Sequence, residues 1–529
     1  MKGKARVWPK LQVCRARARD TLAPGVWDRW KDMTVRGTGR LHRAALVLPA
    51  CAVLAACGST VQLGAQGQLA TGATDQFGNP ITAPTASGTE TSAPLSGVAP
   101  TTNASAASGS PASIDADAGG SGASSQVTST TLAPLKIGAT YINNSGSSAA
   151  LGVSSTPYTA KTAFDALVKG FNGLGGLAGR KLVPVTYSFN GQSASYETQA
   201  QAACAKFTQD NHVSVVLDQA FGYTAGFGTC LSNAKVLQIT SALEEDRARS
   251  NQIPLHSNTF SMTPERAYSA ALNELAGTGY LNRSNQLGII LEDCPSTRTA
   301  YDKTLVPLIA SLGLRKAQLR TVSCTVGFSS AAGAASTISS ATLAFNQAGV
   351  DRVMFVSDNE SVALLFFQNT ANSQSYRPGY VLTSGAQPEG LRTSLQKEQR
   401  PQLHGVGWEP LNDVTVPERP TAVEQRCLSM AKAGGANPTK PSDKLFVHIE
   451  CGMFLLLEKA LQQTGGVDLP SQLQSAINGV GSTFAAPGLV GNRTTFSPSR
   501  HDGPDLVRVF GYDISCSCLR YSGPKLSVP

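Results

Sequence analysis

Short apolar runs and amphipathic segments alternate along the chain from Leu135 onward. The run LKIGATYI is typical of a buried strand, and the next periodic segment (159–172) spaces its apolar residues three and four apart, as a helix does. A strand-like run (180–189) and a helical segment (196–210) follow, then the apolar runs VSVVLD and KVLQITS. A similar series begins near residue 260 with QLGIILED, VDRVMFVS and GYVLTS as its strands. Strands that alternate with helices predict parallel sheets of the α/β class.

The two series predict two lobes joined by a hinge, since return segments follow the second one. KLFVHIECGMFLLLEKAL reads as a long apolar helix and LVRVFGYD as a late strand. We expect residues 135–258 and 386–480 in the first lobe, and 259–385 and 481–529 in the second. Ligands bind outside the carboxyl ends of the strands in open α/β sheets, so the cleft between the lobes is the expected site.

The N-terminal segment (1–56) has the order of a secretory signal. Its basic head leads into the 13-residue apolar run AALVLPACAVLAA, which is too short to cross a bilayer of about 30 Å. Met33 makes a more ordinary start than Met1. Leu54-Ala55-Ala56-Cys57-Gly58 resembles a bacterial lipobox, which implies cleavage before Cys57 and a lipid on its sulfur; the alternative is a signal-peptidase site with an incidental cysteine. We therefore expect a lipid-anchored protein on the extracytoplasmic face of the cell membrane.

Residues 57–134 read as a disordered tether. They consist mainly of Gly, Ala, Ser, Thr and Pro, and such a composition buries too little apolar surface to offset its ordering entropy. The net charge of +9 belongs to residues 1–56, which hold 12 basic and 3 acidic residues; the rest of the chain has 32 of each sign. This balance argues against a nucleic-acid partner.

Eight cysteines follow Cys57, and an even number in an exported protein indicates disulfides. Their order along the chain favours the sequential pairs Cys204–Cys230, Cys294–Cys324 and Cys427–Cys451. Cys516–Cys518 is the remaining pair, although residues i and i+2 of an extended strand are poorly placed to bond. No C-x-x-C spacing occurs, so we expect no metal site.

Four motifs suggest rival chemistries, and each has a plainer interpretation. Gly173–Ala178 fits G-x-G-x-x-[G/A], but a helix precedes the glycines and a strand follows, which is the wrong polarity for a dinucleotide; we expect no cofactor. Gly222–Gly226 imitates G-x-S-x-G with Thr224 in the nucleophile position. His448-Ile449-Glu450-Cys451 offers metal ligands, but a core histidine and a bridged cysteine are expected on this apolar helix. Ser499–Gly503, with His501, reads as a charged surface turn.

LKIGATYINNSGSSAALG, followed by AFDALVKGFNGLGGLAGRKLVPVTYSFNGQS, resembles the type I periplasmic solute-binding proteins, in particular the branched-chain amino-acid (leucine/isoleucine/valine) binding family of ABC importers. AACAKFTQDNHVSVVLD, VLQITSA, GVDRVMFVSDNES and TTFSPSRHDGPDLVRVFGYD continue the resemblance, which covers about residues 135–515. Cys204 and Cys230 match the place of a disulfide in the family's first lobe. The resemblance implies reversible capture of a small solute between two hinged lobes and its delivery to a membrane ABC permease, by a protein that is monomeric and not an enzyme.

The resemblance also implies a set of binding residues at the strand ends. Hydrogen-bond donors to a carboxylate of the solute are expected from Gly222, Tyr223 and Thr224, and from Thr240 and Ser241. Ser145, in the Ser-Gly loop, is a further expected ligand-binding residue. An ammonium group needs an acid, for which Glu389 is the first candidate, with Asp293 and Glu360 in reserve.

Three departures from the family widen the range of solutes. Asn190-Gly-Gln-Ser193 carries no carboxylate, Phe221 and Tyr223 are bulky, and Asp293–Arg298 is atypical. An amide, a peptide, an aromatic acid or a sugar-derived acid therefore stands beside an amino acid as a candidate ligand. Two other functions stay open: a sensory receptor on the same fold, and an extracellular hydrolase that uses Thr224 or His501.

Overall fold

A computed structural model describes most of the chain from Leu132 onward. The described residues are 132–143, 159–190, 196–220, 225–241, 252–324, 328–358, 360–410 and 419–528. The predicted signal segment, the predicted lipidation site Cys57 and the tether as far as residue 131 lie outside them.

The first sheet has five parallel strands in the order β2-β1-β3-β4-β5. Its strands β3 and β4 are fully buried, as expected of parallel strands that are covered on both faces. The strands are β1 (Leu135–Asn143), β2 (Leu182–Asn190), β3 (Val215–Asp218), β4 (Leu237–Thr240) and β5 (His256–Asn258).

The second sheet has four parallel strands in the order β7-β6-β8-β9. A parallel bridge between Leu382 and Gly405 joins its last strand to an antiparallel set in the order β10-β11-β12. The strands are β6 (Leu287–Asp293), β7 (Gln318–Ser323), β8 (Arg352–Val356), β9 (Gly379–Val381), β10 (His404–Gly407), β11 (Leu506–Asp513) and β12 (Cys518–Ser527). Parallel sheets flanked by helices confirm the predicted α/β class.

Helices occur in most of the described strand connections. In chain order they are α1 (Ala160–Gly173), α2 (Tyr196–Ala205), α3 (Ala225–Asn233), α4 (Pro264–Gly277), α5 (Pro295–Ala300), α6 (Val306–Ser311), α7 (Phe328–Gln347), α8 (Glu360–Ser373), α9 (Pro388–Leu391), α10 (Ala422–Ala433), α11 (Pro441–Gln463) and α12 (Pro470–Val480). A π-helical turn, Tyr301–Leu305, precedes Pro307, where the sequence predicts a kink because proline lacks the N–H for the helical hydrogen bond.

Helices α10, α11 and α12 pack with the first lobe, α10 and α11 against α1 and α12 against β4 and β5. The segment that contains α9 and β10 belongs instead with the second sheet, because β10 pairs with β11 and contacts β9. This differs from the expected boundary, which placed all of residues 386–480 in the first lobe. Three connections consequently link the two halves and are called the crossing segments here: the first runs from β5 to α4 (259–263), the second from β10 to α10, of which the structure describes 408–410 and 419–421, and the third from α12 to β11 (481–505).

The long apolar helix α11 forms the centre of the first lobe's helical layer. The Phe454 ring lies 5.5 Å from that of Phe164 and 5.4 Å from that of Phe171, both on α1. Gly170 lets α1 approach α10 closely, since a Cβ there would lie 2.2 Å from the carbonyl oxygen of Met430. Helix α1 thus packs through its predicted apolar face.

The glycine run after α1 is a helix-to-strand turn. Gly175, Gly176 and Gly179 have φ values of 103°, 93° and 80°, in the left-handed region that favours glycine. The chain then enters β2, so the polarity excludes a dinucleotide loop, as the sequence predicts.

The described part of the chain contains four disulfides: Cys204–Cys230, Cys294–Cys324, Cys427–Cys451 and Cys516–Cys518. In the last pair, Cys516 lies in the turn before β12 and Cys518 is the first residue of that strand. Ser517 has a φ of 52°, so the chain turns there and brings the two Cα atoms within 5.1 Å. The turn removes the geometric objection that the sequence raised.

A search of the described helices finds none with both the length and the apolarity that crossing a membrane requires.

Candidate functional site

A pocket lies at the carboxyl edge of the second sheet, beside two of the segments that pass between the lobes. Its volume is about 310 Å³, including the part open to solvent. Its walls come from the start of α4, the ends of β8 and β9, and the residue after β10. The lining residues are Met262, Pro264, Ala267, Tyr268, Ser357, Asp358, Glu360, Thr383, Gly385 and Trp408.

Glu360 begins α8 and turns its carboxyl group toward the end of β9. Its Oε1 accepts from the Thr383 N–H at 3.0 Å, and its Oε2 accepts from the Thr383 hydroxyl at 2.6 Å. Burial raises the pKa of Glu360 to about 8, although both hydrogen bonds from Thr383 act in the opposite direction. At neutral pH the carboxyl group is therefore mostly protonated.

Tyr268, on α4, is fixed to the second sheet by two hydrogen bonds. Its hydroxyl donates to the carbonyl oxygen of Ser357 at 2.9 Å and accepts from the N–H of the same residue at 3.0 Å. The Ser357 hydroxyl in turn donates to the buried Glu292 carboxylate at 2.6 Å, which also accepts from the Asp358 N–H. This network fixes the Tyr268 ring as a pocket wall.

Trp408 directly follows β10 and is 1 % exposed. The Ser384 hydroxyl accepts from the Trp408 backbone N–H at 3.0 Å, and Val490 N–H donates to the Trp408 carbonyl oxygen at 2.7 Å. The indole Nε1 has no hydrogen-bond partner among the described residues. The backbone of this residue is thus held by the second lobe and by another crossing segment, while its ring lines the pocket.

The corresponding edge of the first sheet is organised around Asp218, at the end of β3. Its carboxylate accepts from the Thr140 hydroxyl, from the Ala220 N–H at 3.0 Å and from the Gln238 side chain at 2.8 Å. Its carbonyl oxygen accepts from the Thr240 hydroxyl at 2.9 Å and from the Ser241 N–H at 3.2 Å. Thr240 and Ser241 lie at the strand end, as expected, but these two donors are already used to join β3 to β4.

The predicted acids have different surroundings. Glu360 lines the pocket. Asp293, at the end of β6, is exposed and forms an ion pair with Arg298 at 2.8 Å, which lowers its pKa. Glu389, on α9, pairs with Arg392 at 3.3 Å and does not line this pocket.

Several predicted binding residues fall outside the described residues: Ser145, Gly222, Tyr223 and Thr224. They follow β1 and β3 in the chain and stay predictions.

The sequence analysis missed most of the pocket, including Tyr268, Ser357, Asp358, Thr383 and Trp408. Two signals were present. Asp358 follows a predicted strand end, and Trp408 is the sole tryptophan after residue 30.

The predicted surface turn at Ser499–Gly503 is wrong in the structure. His501 and Asp502 are buried, at 5 % and 2 % exposure, and so do not form a surface turn. Asp502 accepts from the buried Arg266 guanidinium and from the Thr263 N–H, while Arg266 also donates to the carbonyl oxygens of Pro504 and Val528. The buried ion pair therefore connects α4 to the third crossing segment, and the Thr263 N–H connects the first crossing segment to the same aspartate.

Two groups have the residue types of a metal site. Glu292 lies within 4.8 Å of Cys294 and Cys324, but these sulfurs are joined in a disulfide and so are not thiolate ligands. On α11, Cys451 is bonded to Cys427 and His448 is buried, as expected. The His448 Nε2 has no partner among the described residues, so this core histidine is not fully hydrogen-bonded.

No family model matches the chain, and no curated protein matches it. Solved structures do. A possible leucine/isoleucine/valine-binding protein from Rhodopirellula baltica SH 1 is 13 % identical, with 75 % of this chain and 98 % of that chain covered and a TM-score of 0.55. A branched-chain amino-acid ABC transporter protein from Thermus thermophilus with bound valine is 12 % identical over 75 % and 97 %, with a TM-score of 0.57.

A solute-binding protein of an ABC transporter from Rhodopseudomonas palustris BisB5, in complex with 3,4-dihydroxybenzoic acid, is 12 % identical over 75 % and 98 %, with a TM-score of 0.54. At these identities the likeness establishes the fold. The predicted type I periplasmic-binding-protein fold is confirmed.

Proposed function

We propose that the protein is an extracytoplasmic receptor that binds a small solute reversibly between its lobes and delivers it to an ABC importer. The observation that carries this proposal is the pocket at the carboxyl edge of the second sheet, with Met262 and Trp408 contributed by two crossing segments. In open α/β sheets this is the edge where ligands bind. The similar structures with valine and 3,4-dihydroxybenzoic acid support a small organic solute.

The pocket is suited to binding because most of its polar groups are already fixed. Tyr268, Ser357 and Thr383 hold one another or the buried acids through hydrogen bonds, so little side-chain entropy remains to be lost when a solute enters. Met262, Pro264 and Ala267 add apolar surface. The arrangement favours a solute with a compact apolar body and few polar ends.

The crossing segments link this pocket to movement of the lobes. Trp408 lies where the chain leaves the second lobe, and Met262 where the chain enters it. A solute that contacts both residues stabilises one arrangement of these segments, which amounts to selecting one lobe orientation. The solute's other end would meet the first sheet's edge, where the Gly222-Tyr223-Thr224 loop remains the predicted source of donors and Ser145 a predicted ligand-binding residue.

Thermal unfolding of the purified full chain in the presence of a solute library tests the binding function. The library contains amino acids, amides, small peptides, aromatic acids and sugar acids. A true ligand at a hundred times its Kd stabilises the folded state by about 2.7 kcal/mol and raises Tm. If no compound raises Tm, and mass spectrometry under native conditions detects no carried-over solute, the binding function is refuted.

The anchor and the delivery step need separate tests in cells. We expect Cys57→Ser to move the protein from the membrane fraction to the soluble extracytoplasmic fraction, and to remove a diacylglycerol mass from the mature N-terminus. Deletion of the gene that encodes this protein should abolish uptake of the identified solute by the cell. Uptake that is unchanged, with binding intact, would favour a sensory receptor over an importer component.

A further inference from the structure

Exposed large apolar side chains are concentrated at one end of the first lobe. The described part of the chain has eight of them, and five are Leu132, Leu174, Val183, Val467 and Leu469. The first three lie in the segments that lead into β1 and β2, and the last two lie in the turn between α11 and α12. The other three are separate positions in the second lobe: Val306, Leu343 and Ile514. A concentration of exposed apolar groups marks an interaction surface.

These residues belong to the amino edge of the first sheet. Parallel strands all begin at the same edge, so the segments that lead into β1, β2, β3 and β4 lie together there. This edge is opposite the carboxyl edge, where ligands bind in open α/β sheets. We call it the basal face, and its residues are 132–136, 173–183, 206–214, 233–236 and 464–469.

A buried ion pair fixes the centre of the basal face. The Arg180 guanidinium lies 3.0 Å from the Asp468 carboxylate, and it also donates to the carbonyl oxygens of Ala133 at 2.8 Å and Gly466 at 3.0 Å. The Asp468 carboxylate accepts from the Ser214 hydroxyl at 2.9 Å. The pair therefore joins the segment before β1, the loop before β3 and the turn between α11 and α12. The exposed apolar side chains stand on a base that is already ordered, so little entropy is lost when a partner covers them.

Lysines accompany the apolar side chains. The basal face holds five basic and two acidic residues, a net charge of +3, whereas residues 57–529 as a whole hold equal numbers of each sign. Four of the basic residues form no ion pair with any described residue: Lys136, Lys181, Lys206 and Lys235. The ammonium groups of Lys136 and Lys181 donate only to backbone carbonyl oxygens. The positive charge of this face is therefore local and uncompensated.

Apolar side chains beside unpaired lysines match the surface of a bilayer that contains anionic lipid. The apolar groups enter the boundary between headgroups and acyl chains, and the ammonium groups lie near the phosphates. The point at which the chain enters the lobe favours a membrane over a soluble partner. Leu132 is the first described residue, and only residues 58–131 separate it from Cys57, the predicted lipidation site.

The predicted tether brings the basal face within reach of the membrane. A coil of that length spans roughly 45–50 Å, and a tethered face has an effective concentration on the order of millimolar at its target. Contacts that are weak in a free protein are then sufficient to keep the face on the lipid for much of the time.

We propose that the basal face docks the first lobe on the anionic surface of the membrane that anchors the chain. The proposal rests on the proposed function, of which the lipid anchor is a part, and it names a further partner: phospholipids with negatively charged headgroups. In the docked state the carboxyl edge of the first sheet is turned away from the bilayer, which leaves the cleft between the lobes accessible to solute.

Co-sedimentation with lipid vesicles tests the proposal. The protein is the full chain with Cys57→Ser, so that no lipid modification attaches it to the vesicles. The vesicles contain phosphatidylcholine alone or a two-to-one mixture of phosphatidylcholine with phosphatidylglycerol. The basic N-terminal segment is the same in every variant, so differences between variants report on the substituted face. We expect these differences with the anionic vesicles and expect salt to reduce them.

The first pair of variants changes charge. Lys136→Gln combined with Lys181→Gln should weaken binding to the anionic vesicles about 30-fold, at about fivefold for each lysine near an anionic surface. Lys303→Gln combined with Lys316→Gln makes the same charge change in the second lobe, where both lysines are exposed. We expect less than about a threefold change for this control, since charges beyond a Debye length from the lipid are screened.

The second pair of variants changes apolar surface. Leu174 and Leu469 are 75 % and 54 % exposed, so replacing both with Ser leaves the core intact and should weaken binding by at least about fivefold. The control replaces Leu343 and Ile514, which are 47 % and 73 % exposed in the second lobe, with Ser and should change little. Equal effects of the basal and control variants, or no effect of either, would overturn the proposal.

Hydrogen exchange of the unsubstituted full chain, resolved by peptide mass spectrometry, needs no variant. We expect anionic vesicles, and not phosphatidylcholine alone, to protect the amides of 173–183 and 464–469. The exposed turn before β12 (514–517) is the control and should stay unprotected. Absence of protection at the basal face, or the same protection at the control turn, would refute the docking.

A second copy of the chain is the rival occupant of the basal face. Dimers that form without lipid at high protein concentration, and that Leu174→Ser with Leu469→Ser dissociates, would assign the face to self-association and overturn the lipid partner. The proposal and the proposed function also fail differently. If a solute raises Tm but the basal variants bind vesicles as the controls do, the docking is refuted and the solute receptor stands. If vesicles protect the basal face but no solute binds, the reverse holds.

Discussion

Replacement of Glu360 by Gln should change how stability depends on pH. The Glu360 carboxyl is 1 % exposed, and burial raises its pKa from the ordinary 4.5 to about 8. When folding raises the pKa of a carboxyl group, that group's contribution to the free energy of unfolding is most favourable below the unfolded pKa. The contribution is lost as pH rises from the unfolded pKa toward the folded pKa. Glutamine has nearly the same shape and does not titrate, so the free energy of unfolding of the variant should not fall with pH for this reason.

The magnitude follows from the two pKa values. With a pKa of 4.5 in the unfolded chain and about 8 in the folded protein, linkage predicts that titration of Glu360 lowers the free energy of unfolding by about 3 to 4 kcal/mol between pH 5 and pH 8. A constant offset is also expected, because the Gln amide must donate to the Thr383 hydroxyl where the carboxyl now accepts. The pH-dependent part is the diagnostic quantity, since the offset does not vary with pH.

Urea unfolding of both proteins at pH 5, 6, 7 and 8 measures the difference in the free energy of unfolding. Asp293→Asn is the matched control. Its carboxyl is exposed, and Arg298 lowers its pKa, so it stays ionised throughout this range and its difference curve should be flat. A flat curve for Glu360→Gln as well would refute the reasoning, because it would show that burial does not displace the Glu360 pKa.

Three further predictions concern stability and can be measured by urea unfolding at pH 7. Asp502→Asn should cost about 3 kcal/mol or more, because it leaves the buried guanidinium opposite without its counter-charge; a loss below 1 kcal/mol would contradict this. Gly170→Ala should cost about 1–3 kcal/mol through overpacking against α10, whereas Gly173→Ala on the same helix, with no atom within 4 Å of its new Cβ, should be neutral or stabilising; equal effects would contradict the close contact. Removing the Cys427–Cys451 disulfide by double replacement with Ser should lower the free energy of unfolding by about 3.5 kcal/mol on the loop-entropy estimate, and reductant should lower Tm less in the variant than in the unsubstituted protein, because the variant keeps the other three disulfides; an unaffected stability would contradict a bond in the native state.

The outcomes for the predicted acids show which kind of inference from sequence was reliable. Glu360 was placed near a strand end because it lies three residues after the apolar run VDRVMFVS, which contains β8. Glu389 was favoured through a resemblance, and α9, where it lies, pairs it with Arg392 outside this pocket. The position of a short loop helix depends on packing, which no local pattern encodes.

Strand β10 was not predicted because its sequence, His404-Gly-Val-Gly407, does not look like a strand. Its glycines are required by the tertiary structure, since a Cβ on Gly405 would lie 2.3 Å from the carbonyl oxygen of Leu382. The second lobe's extent and the place of Trp408 depend on that strand. The glycine content of this segment is therefore the reason that the strand before Trp408 was not predicted.

The sequence by itself determined the α/β class, the two series of parallel strands and the polarity of the glycine turn, because each depends on the spacing of apolar residues within a few turns of chain. Only the tertiary structure decided which side chains meet. Tyr268, Glu360 and Trp408 are separated by up to 140 positions, and they share one pocket because two crossing segments pack against the same sheet edge. Such contacts arise from the packing of whole elements, so they become visible only when the chain is folded.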